Sequence, residues 1–323
     1  MTRILSYNIQ TGGTHRTDKL ATFIAAIGPD VVGLTEATDA HVAQELAERL
    51  GMQVILSGEG KHKKDWQVGI LSRLPIRGFQ RHLRPEIFTK QNLLEVCIEE
   101  ADGNILTVFV AHLTAAFHKR SESDRIRRNE VQEILRVMAT KQGTSHLLMG
   151  DFNAISPGEG LKASALLSYV MNPEQDYLKK YKEFIERVVG AGLAPARLLS
   201  GRPQGSPLPF ITRSYSQILE AIPRNKLLTS VADTNSPLFL SIFAPRAGIE
   251  QLNQSGYVDC YRRMNQQKPG FTYPALAPAG RIDFIFASPE MAQRLEASYV
   301  VVKAAGIRGS EASDHLPVFA EFE

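Results

Sequence analysis

In the middle of the chain an apolar run, Leu147 to Met149, leads into Gly150-Asp151-Phe152-Asn153, placing a carboxylate and a carboxamide two residues apart. In an extended segment residues i and i+2 point the same way, so Asp151 and Asn153 can address one spot just past a strand end. Such a pair suits a hard divalent cation, or a water about to lose a proton. The same tetrapeptide is also ordinary turn chemistry. Its meaning depends on partners supplied elsewhere.

Polar residues recur at the ends of apolar strand patterns: Asn8, Glu36, His112, Asp151, Asn153, Asp283, Asp314 and His315. Each has a bland explanation alone. Asn8 could form a turn, Glu36 could be an acid at a helix start, and Asp314 could be a turn residue before Pro317. Gathered together, they would make a cluster of carboxylates, amides and imidazoles with no thiolate. Oxygen-rich ligation selects Mg²⁺, Mn²⁺ or Ca²⁺ rather than structural zinc. The work of such an ion would be to bind a phosphoryl oxygen and stabilise developing charge.

These residues need strands to hold them. Ile4 to Ile9 reads as a short strand and Lys19 to Ile27 as an amphipathic helix stopped by Gly28-Pro29. The continuous apolar run Val31 to Thr35 is a strand buried on both faces that delivers Glu36, and Asp39 to Leu50 is a second helix. Strands follow at 53–56, 68–72, 93–98 and 105–111, the last delivering His112. Ser121 to Thr140 is a long helix with Ile126, Ile134, Leu135 and Met138 inward and Arg120, Arg125, Arg127 and Arg128 near its start. Arg281 to Ala287 alternates as a half-buried strand with Asp283 on its polar side, and Val318 to Phe322 closes the chain. Strands and helices mixed throughout, with chemistry at strand ends, predict an α/β or α+β sandwich with its site on one rim.

One segment breaks the rhythm. Between 157 and 255 the strand pattern fades, nine of the seventeen prolines occur, and Asn172-Pro173 opens an amphipathic helix. Its helical character marks it as an inserted subdomain rather than a linker. Because it follows the Asp151–Asn153 loop directly, it is expected to stand at the rim of the site.

The 323 residues, 43% hydrophobic and 22% charged, suit a globular chain with a large core. A net charge of +3 is compatible with a polyanionic partner without requiring one. Cys97 and Cys260 have no metal spacing and read as free buried thiols in a reducing compartment. The start MTRILSYNIQ lacks the features of a signal peptide, and no apolar run is long enough to span a membrane. A cytoplasmic protein without stable membrane insertion is expected; oligomeric state leaves no signature. There is no P-loop, and no GxGxxG after a strand.

SYN (6–8), the acid in VVGLTEA (31–37), AHL (111–113), GDFNA (150–154), RIDFIF (281–286) and SDHLP (313–317) resemble, in order, the motifs of the endonuclease/exonuclease/phosphatase superfamily. Val68 to Arg73 fits a further typical segment. The resemblance implies a four-layer α/β sandwich of two packed mixed sheets flanked by helices, here with a largely helical insert. It implies Mg²⁺ or Mn²⁺, with Asn8, Glu36 and Asp314 as ligands and Asp151 and Asn153 contributing. It further implies that Asp151 and Asn153 handle the attacking water. His315, oriented by Asp283, and His112 would contact the phosphate. His112 stands where the exonuclease III-like branch usually has tyrosine, which argues against a dedicated abasic-site endonuclease.

Basic residues are less decisive. Lys61 to Lys64 precede one strand, and Arg81, His82 and Arg84 follow a later loop; such runs are usually solvated faces. Lys64 and Arg128 are candidates for binding substrate phosphates and Trp66 for stacking on a base. Asp65 is a candidate partner for His112. The leading expectation is a metal-dependent phosphodiesterase acting on nucleic acid or another phosphodiester. The alternatives are a phosphomonoesterase, an inositol-phosphate or sphingomyelin type lipid phosphodiesterase, and a catalytically inactive binding module.

Overall fold

In the computed structural model, residues 1–58, 68–84, 86–88, 93–115, 120–162, 165 and 248–323 are described. Fourteen strands and seven helices are found among them. One sheet holds β1 (Thr2–Asn8), β2 (Val31–Thr35), β3 (Gln53–Leu56), β4 (Gly69–Ser72), β11 (Leu295–Val300) and β14 (Val318–Phe322), in the order β11-β14-β1-β2-β4-β3. The other holds β5 (Ile76–His82), β6 (Leu93–Glu99), β7 (Ile105–His112), β8 (His146–Asp151), β9 (Val258–Asp259) and β10 (Asp283–Ala287), in the order β5-β6-β7-β8-β10-β9. A small ribbon pairs β12 (Lys303–Ala304) with β13 (Ile307–Arg308).

Alternation along the central strands stacks the layers. Ile4, Val31, Val108, Met149 and Ile285 meet in one core between the sheets. Leu5, Tyr7, Val32 and Leu34 point the other way, under α1 (Thr17–Ile27) and α2 (Ala40–Leu50), whose Phe23, Ile24 and Leu46 cover them. On the far side, Phe109, Leu148, Phe284 and Phe286 pack with Val131 and Ile134 of α3 (Arg120–Met138) and Ile249 and Leu252 of α4 (Ile249–Gln254). The result is the expected four-layer sandwich. Short helices α5 (Cys260–Met264), α6 (Pro289–Ala292) and α7 (Gly309–Ala312) complete the described chain.

Two glycines allow close approaches. At Gly33 a Cβ would lie 2.5 Å from Met149 Cε of the facing sheet, so a side chain there would displace Met149 from its place in the interface. At Gly150, with φ +142°, a Cβ would lie 1.8 Å from the Ala111 carbonyl oxygen of β7. Asp39 accepts hydrogen bonds from His41 N and Val42 N at the start of α2, an N-cap that stabilises a helix by about 1 kcal/mol.

Three expectations change. The strand β5 has no counterpart in the sequence reading, because as an edge strand it carries only Ile76 and Phe79 as large apolar groups. The 281–287 segment is not half-buried: helices cover its outer face and every residue is buried. On α3, Ile126 and Leu135 are only half-buried, whereas Arg127 and Glu130 point inward. The helix opened by Asn172-Pro173 lies outside the described residues. Among the described residues no helix is long and apolar enough to cross a membrane.

Candidate active site

Each sheet has one parallel pair at its centre, β1 with β2 and β7 with β8. Each pair is joined through a helix, and their carboxyl ends meet at the same rim. Ligands collect at such ends in α/β structures because the chain leaves each strand there in a loop. Register then sets the rows. Asn8 stands opposite Thr35, the residue before Glu36. In the other sheet Asp151 stands opposite both His112 and Asp283.

The rows converge on the Asp151 carboxylate. Asn8 Nδ2 donates to Asp151 Oδ2 at 3.0 Å and to Glu36 Oε1 at 3.2 Å. His112 Nε2 lies 3.5 Å and His315 Nε2 3.8 Å from the same Asp151 oxygen. His315 Nδ1 is 2.9 Å from Asp283 Oδ2, and the Tyr273 ring covers the imidazole at 4.6 Å between centroids. Thr272 Oγ1 accepts the backbone N–H groups of Ile282 and Asp283 and so fixes the start of β10. Ser313 Oγ donates to Asn8 O at 2.6 Å, pinning the 313–315 loop to β1.

Asn153 reaches the site differently from the expected alternation. It lies past the end of β8 with φ +47°, so it does not stand beside Asp151 on an extended strand. Its backbone N–H instead donates to Asp151 Oδ1 at 2.9 Å, and its side-chain Nδ2 to Leu113 O at 3.0 Å. Glu36 is also left-handed, at φ +57°. Non-glycine residues held there cost about 1–3 kcal/mol each and persist where surroundings demand them.

Burial and crowded charge shift the titrating groups. Burial raises Asp151 to about 8, with Asp283 adding to it. Burial also raises Glu36, helped by Asp314. For His315 burial opposes the charged form, but Asp283 outweighs it, with Asp151 and Asp314, and the imidazole rises to about 10. His112 falls to about 3 because it is buried and faces the charge on His315. The site therefore carries one imidazolium and one neutral imidazole on either side of a reluctant carboxylate.

The carboxylates fit a divalent cation. Among the described residues the buried oxygens Asp283 Oδ1 and Asp314 Oδ1 have no hydrogen-bond partner, and buried polar atoms are rarely left so. Asp151 and Asp283 can present carboxylate oxygens within 4.8 Å of one another. With Glu36 and Asn8 adjacent, the donors are mostly oxygen, as Mg²⁺ or Mn²⁺ requires.

The structure thus brings together Asn8, Glu36, His112, Asp151, Asn153, Asp283, Asp314 and His315. Arg128 is exposed on α3 and makes no hydrogen bond or ion pair among the described residues. Lys61 to Trp66, including the candidates Lys64, Asp65 and Trp66, lie outside those residues. His15 and His41 are exposed; His118 lies outside the described residues. Cys260 is buried and Cys97 half-buried, and both are free thiols. Sequence reasoning missed Thr272, Tyr273 and the backbone amides of the 10–12 loop, and gave Ser313 no role beyond its place in the SDHLP motif. Their types carry no chemical signature, and only contact identifies them.

The fold recurs in solved structures. An AP endonuclease from Archaeoglobus fulgidus is 15% identical, with all of both chains covered and a TM-score of 0.62. The 3' phosphatase NExo from Neisseria, bound to product DNA hairpin, is 17% identical over all of both chains, with a TM-score of 0.59. An endonuclease/exonuclease/phosphatase from Beutenbergia cavernae is 18% identical, with 99% of this chain and 70% of that one covered and a TM-score of 0.59. No curated protein sequence matches the chain. The sequence itself matches the family description over residues 5–315, which takes in every strand-end donor from Asn8 to His315. The chain belongs to the endonuclease/exonuclease/phosphatase family, whose enzymes are divalent-metal-dependent hydrolases of phosphoester bonds.

Proposed function

We propose that the protein hydrolyses phosphodiesters by activated water and that its substrate is nucleic acid. The observation that carries this reading is the convergence of Asn8, His112 and His315 on one oxygen of Asp151. A basic carboxylate oxygen ringed by N–H donors can take a proton from water while the donors hold a phosphate.

In this reading Asn8, Glu36 and Asp314 would hold Mg²⁺ or Mn²⁺, with Asp151 and Asn153 beside them. The cation, when bound, neutralises a phosphoryl oxygen and stabilises the charge that develops there. Asp151 orients the attacking water and accepts its proton, with its other oxygen fixed by Asn153 N. His315, kept protonated by Asp283, offers Nε2–H to the phosphate. His112 is the second phosphate contact and stays neutral. Arg128, Lys64 and Trp66 are proposed to hold flanking phosphates and a base. The 157–255 segment, leaving next to this turn, is proposed to set substrate choice.

A second reading, phosphomonoester hydrolysis, is kept because a matched structure is that of a 3' phosphatase. The test is a panel of single- and double-stranded DNA, RNA, a 3'-phosphorylated oligonucleotide, inositol phosphate and sphingomyelin. Each is incubated with Mg²⁺, Mn²⁺ or EDTA. Metal-dependent cleavage of a nucleic acid chain is expected. Release of only terminal phosphate selects the second reading, and turnover of only lipid or inositol substrates overturns both.

A further inference from the structure

Outside the residues already assigned, one side chain reaches both loops that present the cation ligands. Arg16 is half-buried at the start of α1. Its guanidinium donates through Nη2 to the carbonyls of Ile9, at 2.9 Å, and Gln10. Through Nη1 it donates to the carbonyl of Ala312, two residues before Asp314.

The loop it grips is strained. Gln10 and Thr11 have φ +53° and +48°, and Gly12 and Gly13 follow at +79° and +71°. Four residues with positive φ in succession curl the loop so that the amides of the first three face the ligands, while Gly13 N closes a turn on Gln10 O. Gln10 N donates to Asn8 Oδ1 at 2.9 Å, Thr11 N to Glu36 Oε2 at 2.7 Å and Gly12 N to Glu36 O at 2.7 Å. Non-glycine residues leave such conformations unless something over-determines them. The rigid fork of an arginine on three carbonyls supplies that constraint.

We propose that Arg16 is a positioning residue that sets the affinity for the divalent cation. It ties the 9–12 loop, which aims Asn8 and Glu36, to the 312–315 loop, which carries Asp314. This inference rests on the cation reading given above. Charge alone predicts the opposite behaviour, since the guanidinium faces Asp314 and Glu36 and its removal would strengthen their pull on a cation. Geometry outweighs charge in this proposal because the N–H groups are spent on carbonyls rather than on the carboxylates.

The test is calorimetric titration of the full chain with Mn²⁺, alongside melting curves with and without the ion, for wild type, Arg16→Ala and Arg16→Lys. Loss of an outer partner of metal ligands weakens binding by about 10–100-fold. That loss is expected in Arg16→Ala, with a smaller one in Arg16→Lys, which keeps the charge but reaches fewer carbonyls. Methylguanidinium should partly restore binding in Arg16→Ala. If Arg16→Ala does not fold, Arg16→Lys alone decides. Variant affinities within twofold of wild type, or tighter binding by Arg16→Ala, overturn the role of Arg16. Failure of wild type to bind Mn²⁺ overturns the cation reading and this inference with it.

Discussion

The two sheets contribute unlike halves to the site. The β7–β8–β10 half is built by register: His112, Asp151 and Asp283 stand side by side on paired strands and are buried. The β1–β2 half is built by loops: Glu36 lies just past its strand in a left-handed conformation, and its carboxylate is aimed by the Thr11 amide. Proton handling needs groups whose pKa values are held by burial, and a sheet interior supplies that. A cation needs oxygens free to converge from several directions, and loops supply that. In the proposed reading this difference in construction matches a difference in task.

Removing the centre of the first half should have the largest effect. Asp151→Ala and His315→Ala are each expected to lower kcat/KM by about 10²–10⁴-fold with circular dichroism unchanged. Near-wild-type turnover in either would dissolve the assignment. Gly150→Ala attacks the same half through its frame. With Ala111 O in the way of a Cβ, urea denaturation is expected to show a loss of about 3 kcal/mol or more. An unchanged midpoint would mean that β7 and β8 are not clamped as described.

A paired experiment then sets one half against the other. Glu36→Gln is expected to raise the Mn²⁺ concentration needed for half-maximal activity by about 10-fold and to recover turnover at saturating metal. Asp283→Asn should lower turnover by about 10-fold with a smaller change in the metal requirement than Glu36→Gln, because its Oδ2 is engaged by His315. The same response in both would erase the division of labour.

The smallest effect concerns the far end of β8. His146 is buried, with Nδ1 on Thr144 O and Nε2 on the Tyr257 hydroxyl, and burial lowers its pKa. A depressed folded-state value means that the stabilisation is present above the unfolded value, about 6.5. It is lost as pH falls through the folded value. The melting temperature should therefore decline between pH 7 and pH 5, and His146→Phe should flatten that slope. An equal slope in the variant would show that other groups carry it.

Much of this was legible in the chain. Apolar runs such as Val31–Thr35 and Leu147–Met149 mark central strands because both their faces must be dry, and the residue that ends each run is forced to the rim. That argument locates Asn8, Glu36, His112 and Asp151 without coordinates. It fails where local pattern and tertiary role part company. The 281–287 strand reads as half-exposed because it contains Arg281 and Asp283. Arg281 is buried all the same, because Asp259 and Glu159, 122 residues earlier, neutralise it. Arg127, read as one of four basic residues at a helix start, donates to Asp124 and to Thr114 O. Glu130 beside it holds Thr114 N and Oγ1, so α3 clamps the loop that follows His112.

The sequence by itself determined which groups could do the chemistry and in what order the strands deliver them. Side-chain type and strand-end position are local properties, written in the apolar runs. Only the tertiary structure decided which groups face each other. Asp151 Oδ2 became the focus because two sheets oppose their parallel pairs, which no single strand encodes. Arg16 became a link between the 9–12 and 312–315 loops because the chain brings residue 312 back beside residue 9. Contacts between residues hundreds apart depend on how layers pack, and a one-dimensional pattern carries no term for that.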